Sequence, residues 1–219
     1  DRLRWIVCTH THPDHSPAWR AVAEATGAQV IGASPPDDMF QDNTFTPTQE
    51  VQHDFVLATE EFTLRAVHTP GHVGNHYCYL LEEEGMLFAG DHIMNGSTVV
   101  IIPPSGDMKA YIESLQLLLQ YPLKFIAPGH GDVMPEPVAA VDWLVKHRLQ
   151  REQKVIDGLR KTGRAPLDEL VKVVYDDVNT SLHKMAMLSL SAHLIKLQQE
   201  QRARLHAEDD TWSLAPEQS

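Results

Sequence analysis

Apolar positions along the chain come in short runs separated by turn-forming residues, and most of the runs end on a histidine or an aspartate. Trp5, Ile6 and Val7 lead an apolar stretch over residues 3–8 that reads as a strand. It runs straight into Thr9-His10-Thr11-His12-Pro13-Asp14-His15. Residues 16–25 then read as a helix, with Pro17 suited to its first turn and Gly27 placed to end it. Gln29–Gly32 is a short strand. Residues 33–50 hold Pro35, Pro36, Asp37, Asp38, Asn43 and Pro47 and form a long loop, of a length that often carries function. Phe62, Leu64 and Ala66 alternate with polar neighbours in a half-buried strand that ends at His68-Thr69-Pro70-Gly71-His72. Tyr77–Leu81 and residues 86–89 are two more strands, joined by Glu82-Glu83-Glu84-Gly85, and the second delivers Gly90-Asp91. Val99, Val100, Ile101 and Ile102 are a further apolar run. Asp107 caps a helix over residues 108–120, whose Tyr111, Leu115, Leu118 and Leu119 share a face. Residues 124–127 form a strand ending in Pro128-Gly129-His130-Gly131.

After Pro137 the period becomes helical throughout. A long helix is expected over residues 138–159, broken by Gly163 and Pro166, then a short helix over 167–175 and a longer one over 181–199. Residues 202–206 and 211–214 pair as a hairpin around Asp209-Asp210. Three helices followed by a hairpin is the element order of a winged helix. The expected division is therefore a catalytic domain over residues 1–145 and a winged-helix-like domain with its tail over 146–219. No internal repeat or low-complexity segment interrupts either part.

Composition changes this picture in three ways. A 219-residue chain with 42% hydrophobic and 22% charged residues is long enough for a sizeable core and is typical of globular proteins. No apolar stretch approaches the 18 or so residues of a membrane span, so no membrane partner is expected. Cys8 and Cys78 make no disulfide framework, which points to the cytoplasm or another reducing compartment. The net charge of −12 is unevenly spread. Residues 1–145 carry 6 Lys+Arg against 19 Asp+Glu, a net −13; residues 146–206 carry 12 against 7, a net +5; the last 13 residues carry four acids and no base. A basic appendage on an acidic body is the asymmetry expected of a nucleic-acid contact or of solvated helix faces.

The chemistry lies at the strand ends. Imidazole and carboxylate suit Zn²⁺ and neighbouring divalent ions. His10 and His12 alternate around Thr11 and face one way in extended backbone. Asp14 and His15 follow where Pro13 stiffens the turn. Asp91, freed by Gly90, is the one carboxylate positioned to bridge two ions. His72 and His130 each end a Pro-Gly-His triplet, where glycine allows the sharp bend that brings the ring in. The expected division gives His10, His12 and His72 to one metal and Asp14, His15 and His130 to a second, with Asp91 between. Asp14 and Asp91 are the catalytic carboxylates. Two such ions lower the pKa of a bridging water, so hydroxide is available at neutral pH, and stabilise the oxyanion of an attacked carbonyl or phosphoryl group.

His10-Thr11-His12-Pro13-Asp14-His15, followed in order by Gly71-His72, Gly90-Asp91 and Gly129-His130, resembles the full metal-ligand set of the metallo-β-lactamase superfamily. The resemblance implies an α+β fold, an αββα sandwich with metals at one edge of two packed sheets. Thr69-Pro70-Gly71-His72, Asn75-His76, Gly90-Asp91-His92 and His147-Arg148…Arg151-Glu152 are similar to the branch with a C-terminal winged helix, which includes the endoribonuclease β-lactamase-like protein 2. Members begin with strands and a helix ahead of the first histidines, whereas here the motif starts at residue 10. The N-terminal part of the sandwich is therefore expected to be missing. Zinc β-lactamases lack an aspartate matching Asp91, di-iron electron-transfer relatives carry glutamate where His12 stands, and nucleases with a large inserted domain need more room than residues 91–130 offer. Hydroxyacylglutathione hydrolases share the whole set.

The functional expectation is a hydrolase with two divalent ions, most simply zinc. Single-stranded RNA is one substrate class, favoured by the basic segment; a small-metabolite thioester or ester is the other, favoured by the acidic body. A binding module with a structural zinc site is disfavoured, because such sites close with four ligands. Ser97, His147 and Arg148 are candidate substrate contacts, and Lys146, Arg148, Arg151 and Lys154 form a row at helical spacing that could meet phosphates. His68 is expected to be structural. His76 and His92 are expected either to orient a ligand or to be ordinary residues, and Cys8 and Cys78 to be small buried hydrophobes.

Overall fold

The computed structural model describes residues 2–38 and 40–216. Strand β1 (Trp5–Val7) leads to helix α1 (Trp19–Thr26) and strand β2 (Gln29–Gly32). After the long loop come β3 (Gln49–Glu50), β4 (Val56–Ala58), β5 (Thr63–His68), β6 (Tyr77–Leu81) and β7 (Met86–Gly90). Helix α2 (Met108–Leu118) and β8 (Phe125–Pro128) complete the first part. Helix α3 (Pro137–Thr162) passes into β9 (Arg164–Pro166), α4 (Leu167–Val174), α5 (His183–Gln199), β10 (Ala203–His206) and β11 (Thr211–Leu214).

β1, β2 and β3 pair in parallel in one sheet, and β4-β5-β6-β7-β8 form a second, antiparallel except for β7 with β8. Ile31, Val51, Ala66, Tyr77 and Tyr79 fill the space between the sheets. α1 covers the outside of the three-stranded sheet through Trp19 and Ala23, packed on Cys8, Val30 and Phe45. α2 and α3 cover the five-stranded sheet through Tyr111, Leu115, Leu118, Val141 and Leu144. These four layers are the αββα sandwich the resemblance implies.

The second unit has its own core, in which Val155, Ile156 and Leu159 of α3 meet Leu170 and Val174 of α4, Leu190, Leu194 and Leu197 of α5, and Trp212 of β11. Its sheet, β10-β11-β9, has three strands. The sequence pattern gives only the hairpin, because Gly163 and Pro166 mark a break while Arg164 and Ala165 between them still pair with Ser213 and Trp212. The expected boundary at 145/146 falls inside α3, which contributes to both cores.

Other differences are local. α1 begins at Trp19 because residues 13–16 turn sharply, with His15 N–H donating to His12 O (2.9 Å). Residues 99–102 form no strand. They run as a strap under α2, with Val99 and Ile101 buried in the main core. A 3₁₀ turn over Thr180–Leu182 precedes α5.

Candidate metal centre

Loops at the ends of β1, β5, β7 and β8 converge on one edge of the sandwich. Gly71 makes the loop after β5 possible. Its φ is +145°, and a Cβ there would lie 2.4 Å from the Tyr111 backbone. The loop thus packs against α2 at a distance only glycine tolerates, and His72 is turned inward.

Two donor groups result. His10, His12 and His72 bring one donor each within 4.8 Å of one another, and so do Asp14, His15, Asp91 and His130. In the first, His12 Nδ1 lies 3.1 Å from His10 Nε2 and 2.9 Å from His72 Nε2. In the second, His15 Nε2 lies 3.3 Å from Asp91 Oδ1 and 3.5 Å from Asp14 Oδ2, while His130 Nε2 lies 3.2 Å from Asp14 Oδ2. The other Asp91 oxygen, Oδ2, is 3.9 Å from His72 Nε2, so one carboxylate faces both groups.

The residues fit divalent metals on three grounds. Donors bonded at roughly 2.0–2.2 Å around one ion sit about 3.3 Å apart in a tetrahedron, close to the distances here. His15 Nε2 and Asp91 Oδ1 are buried polar atoms, 3.3 Å apart, with no well-formed hydrogen bond among the described residues, and such atoms call for an ion or water. The rings of His10, His12 and His72 are also held neutral, as ligands must be. Burial, and then the neighbouring rings of His15, His72 and His12, push His10 far below the usual imidazole range. Burial, and then His72, push His12 down to about 4. Burial likewise lowers His72. Burial would lower His15 too, but the hydrogen bond and charge of Asp91 outweigh it and raise it; burial would raise Asp91, and His15 reverses that.

Surrounding groups fix the rings. His72 Nδ1–H donates to Val100 O (2.8 Å), leaving Nε2 bare toward the site. Asp91 N–H donates to His76 Nε2 (3.3 Å), and His76 Nδ1 is 2.9 Å from Thr69 Oγ1. Asn75 Nδ2 donates to Thr11 Oγ1 (2.8 Å), which donates to Gln41 Oε1 (2.5 Å), tying the histidine loop to the long loop. His76 thus positions Asp91. His92 is fully buried edge-on to Tyr111 (4.9 Å), and His68 lies beside Tyr77 outside both donor groups.

A cleft of about 770 Å³ opens onto the donors, lined by His12, Pro13, Asp14, Asp37, Asp38, Phe40, His72, Val73, Asp91, Val100, Ile102, Pro103, Pro104, Ser105 and Leu188. None of the expected contacts Ser97, His147 and Arg148 is among them. Ser97 is exposed in the loop after β7. His147 stacks on Trp143 (5.4 Å). Arg148 is 4% exposed; its guanidinium lies over the Tyr111 ring (5.2 Å) and donates to Val99 O (2.6 Å). Of the rest of the basic row, Lys146 is exposed while Arg151 and Lys154 are paired with acids of the second unit. Arg151 lies over Tyr175 (4.4 Å) and pairs with Asp177 (3.0 Å), and Lys154 pairs with Asp176 (3.2 Å) and Asp177 (3.0 Å). Position along α3 does not reveal this, because the partners arrive from other segments of the chain. The cleft-lining Phe40 is signalled only by the length of its loop, and Leu188 by nothing in its own sequence neighbourhood.

The family profile of the metallo-β-lactamase superfamily matches residues 1–130, and that of the β-lactamase-associated winged helix domain matches residues 167–212. A β-lactamase-like protein 2 homolog of Drosophila melanogaster is 30% identical over 214 residues, 94% of this chain and 72% of that protein. The Caenorhabditis elegans homolog is 28% identical, covering 89% and 65%. An atrochrysone carboxyl ACP thioesterase of Aspergillus chevalieri is 33% identical over 147 residues, 64% of this chain and 46% of that enzyme. Among solved structures, a metallo-β-lactamase family protein from Thermus thermophilus superposes with a TM-score of 0.79 at 20% identity, covering 96% of this chain and 79% of the other.

Proposed function

The chain belongs to the metallo-β-lactamase superfamily of hydrolases, with the winged-helix domain associated with it, and from that premise we propose that it hydrolyses thioesters or esters of small molecules at a two-zinc centre. His10, His12 and His72 would hold one ion, Asp14, His15 and His130 the other, and Asp91 both. Zinc suits this set of imidazoles and carboxylates. Two ions in such a centre make water acidic enough to attack at neutral pH and polarise the carbonyl it attacks.

The chain's own part is positional. His72 is locked in one tautomer by Val100 O, and Asp91 is locked at its backbone by His76. Asp14, whose side chain is 59% exposed at the cleft edge, would take the proton released as water adds to the carbonyl. The carbon–sulfur or carbon–oxygen bond then breaks, and the thiol or alcohol leaves with a proton.

One observation carries the choice of substrate class, namely the character of the cleft. Phe40, Val73, Val100, Ile102, Pro103, Pro104 and Leu188 line it, and its charged side chains besides the donors are Asp37 and Asp38. A phosphodiester backbone is bound through Lys and Arg. Here it would meet carboxylates, while Arg148, Arg151 and Lys154 are occupied elsewhere. Single-stranded RNA, the other expected class, therefore takes second place. The named activity of the Aspergillus chevalieri relative is consistent with a thioester. The test is hydrolysis by zinc-loaded protein of acyl thioesters, acyl esters and single-stranded RNA in parallel, with metal content measured by elemental analysis. Turnover of thioester with none of RNA is expected. Salt-sensitive RNA cleavage without thioester turnover would overturn the reading, and one metal per chain at saturation would overturn the two-ion centre.

A further inference from the structure

Among the described residues, every one lining the cleft belongs to the sandwich except Leu188, which comes from α5 in the second unit. α5 is anchored where this happens. Ala192, one turn further along, is buried in the main core of the sandwich, on Tyr111 and its neighbours. At the far end Gln199 Nε2 donates to Asp107 Oδ2 (3.0 Å), the residue that caps α2. Residues four apart share a helix face, so the face that docks α5 onto the sandwich carries Leu188 into the cleft. The stripe continues outward at helical spacing through Met185 and Leu182, which are 54% and 56% exposed. Phe40, on the same cleft, is 49% exposed. Exposed apolar residues scattered singly are ordinary, but a stripe continuous with a pocket wall marks a surface that something apolar covers.

We infer that the winged-helix unit furnishes the acyl-binding wall of this site. The apolar acyl group of the substrate lies along Leu188 against Ile102, Pro103, Pro104 and Phe40, and longer groups reach Met185. The inference rests on the hydrolase reading for the identity of the substrate, but not for the existence of the wall. A cleft of about 770 Å³ is in the size range that encloses a drug-sized ligand, far more than an acetyl group needs. The acidic side chains Asp37 and Asp38 leave the carbonyl and acyl chain, rather than an anionic carrier, as the parts suited to the interior.

Carboxylates, the acyl products, probe the wall without turnover. Binding of acetate, hexanoate and decanoate to zinc-loaded full chain is measured by calorimetry. Affinity is expected to rise about three- to fourfold per methylene buried. Leu188→Asp should remove most of the gain of decanoate over hexanoate while leaving acetate within twofold, and Met185→Asp should do so more weakly. Leu188→Met, which conserves volume, should retain the gain and shows that the position tolerates change. Decanoate binding no tighter than acetate in the wild type would overturn the inference, as would Leu188→Asp weakening acetate and decanoate alike. If the chain-length ladder holds but no thioester or ester is turned over, the hydrolase reading fails and the wall stands.

Discussion

Asp91 is the residue on which the two donor groups depend, since its Oδ1 faces His15 and His130 while its Oδ2 faces His72. Asp91→Ala should cut activity by about a hundredfold or more, because even losses one layer out cost 10–100-fold. It should also reduce bound zinc below two per chain by elemental analysis. His68→Ala, at a site facing Tyr77, should retain most of both. His193 offers a test independent of metal. It is fully buried on α5, and neither ring nitrogen has a hydrogen-bond partner. Burial, then the charges of Arg148 and Lys196, push it down to about 3. Its folded pKa lies below its unfolded value, so the unfolded chain binds the proton first, and stability is lost as pH falls from about 6.5 toward 3. Between about pH 7 and 5 this single group should cost about 2 kcal/mol. His193→Gln should flatten the urea-derived stability profile by about that amount over the same interval; an unchanged slope would contradict it. The seven candidate donors are legible in sequence because each stands at or just after a strand end, beside a glycine, a proline or another donor or, for His10, one residue from one. Arg148 is not, since a cation in a helix reads the same whether water or Tyr111 faces it.

Among the elements, α3 carries the most unusual polar contact. Glu152, 4% exposed, holds Lys196 of α5 through Oε2 (2.6 Å) and Arg202 through Oε1 (3.0 Å). Removing one partner strands a buried charge, which typically costs about 3–5 kcal/mol, whereas replacing both with apolar groups is often close to neutral. Lys196→Met should therefore destabilise by about that amount in chemical denaturation, tempered by Arg202, and Glu152→Leu with Lys196→Met should recover most of it. Additive losses would mean the pair does not couple. Helix α2 and strands β5 to β7 follow from periodicity and capping because their patterns are local. Strand β9 does not, because three residues between a glycine and a helix gain strand character only from β11.

At the scale of the molecule, the two cores share α3, and Ala192 of the second unit is buried in the first. Heat should unfold the chain in one calorimetric transition with matching van't Hoff and calorimetric enthalpies; two separated peaks would show that the units fold independently. The charge asymmetry of the sequence also reads differently in three dimensions. Arg151, Lys154 and Lys196 all have acidic partners from their own unit, so these three cations are paired within it although its net charge stays +5. Net charge is additive along a chain and blind to pairing, which is why composition points toward nucleic acid.

The orientation of His72 by Val100 O has a genetic consequence. A main-chain carbonyl is encoded by no particular codon: whatever residue occupies position 100, the acceptor remains. The tautomer of this histidine is thereby shielded from most point mutations near it. Its exposure to mutation is displaced to Arg148, about fifty positions along the chain, whose guanidinium grips the neighbouring carbonyl of Val99. Random mutagenesis scored by zinc retention should find position 100 permissive and position 148 intolerant, a pattern that no inspection of the residues around His72 would anticipate.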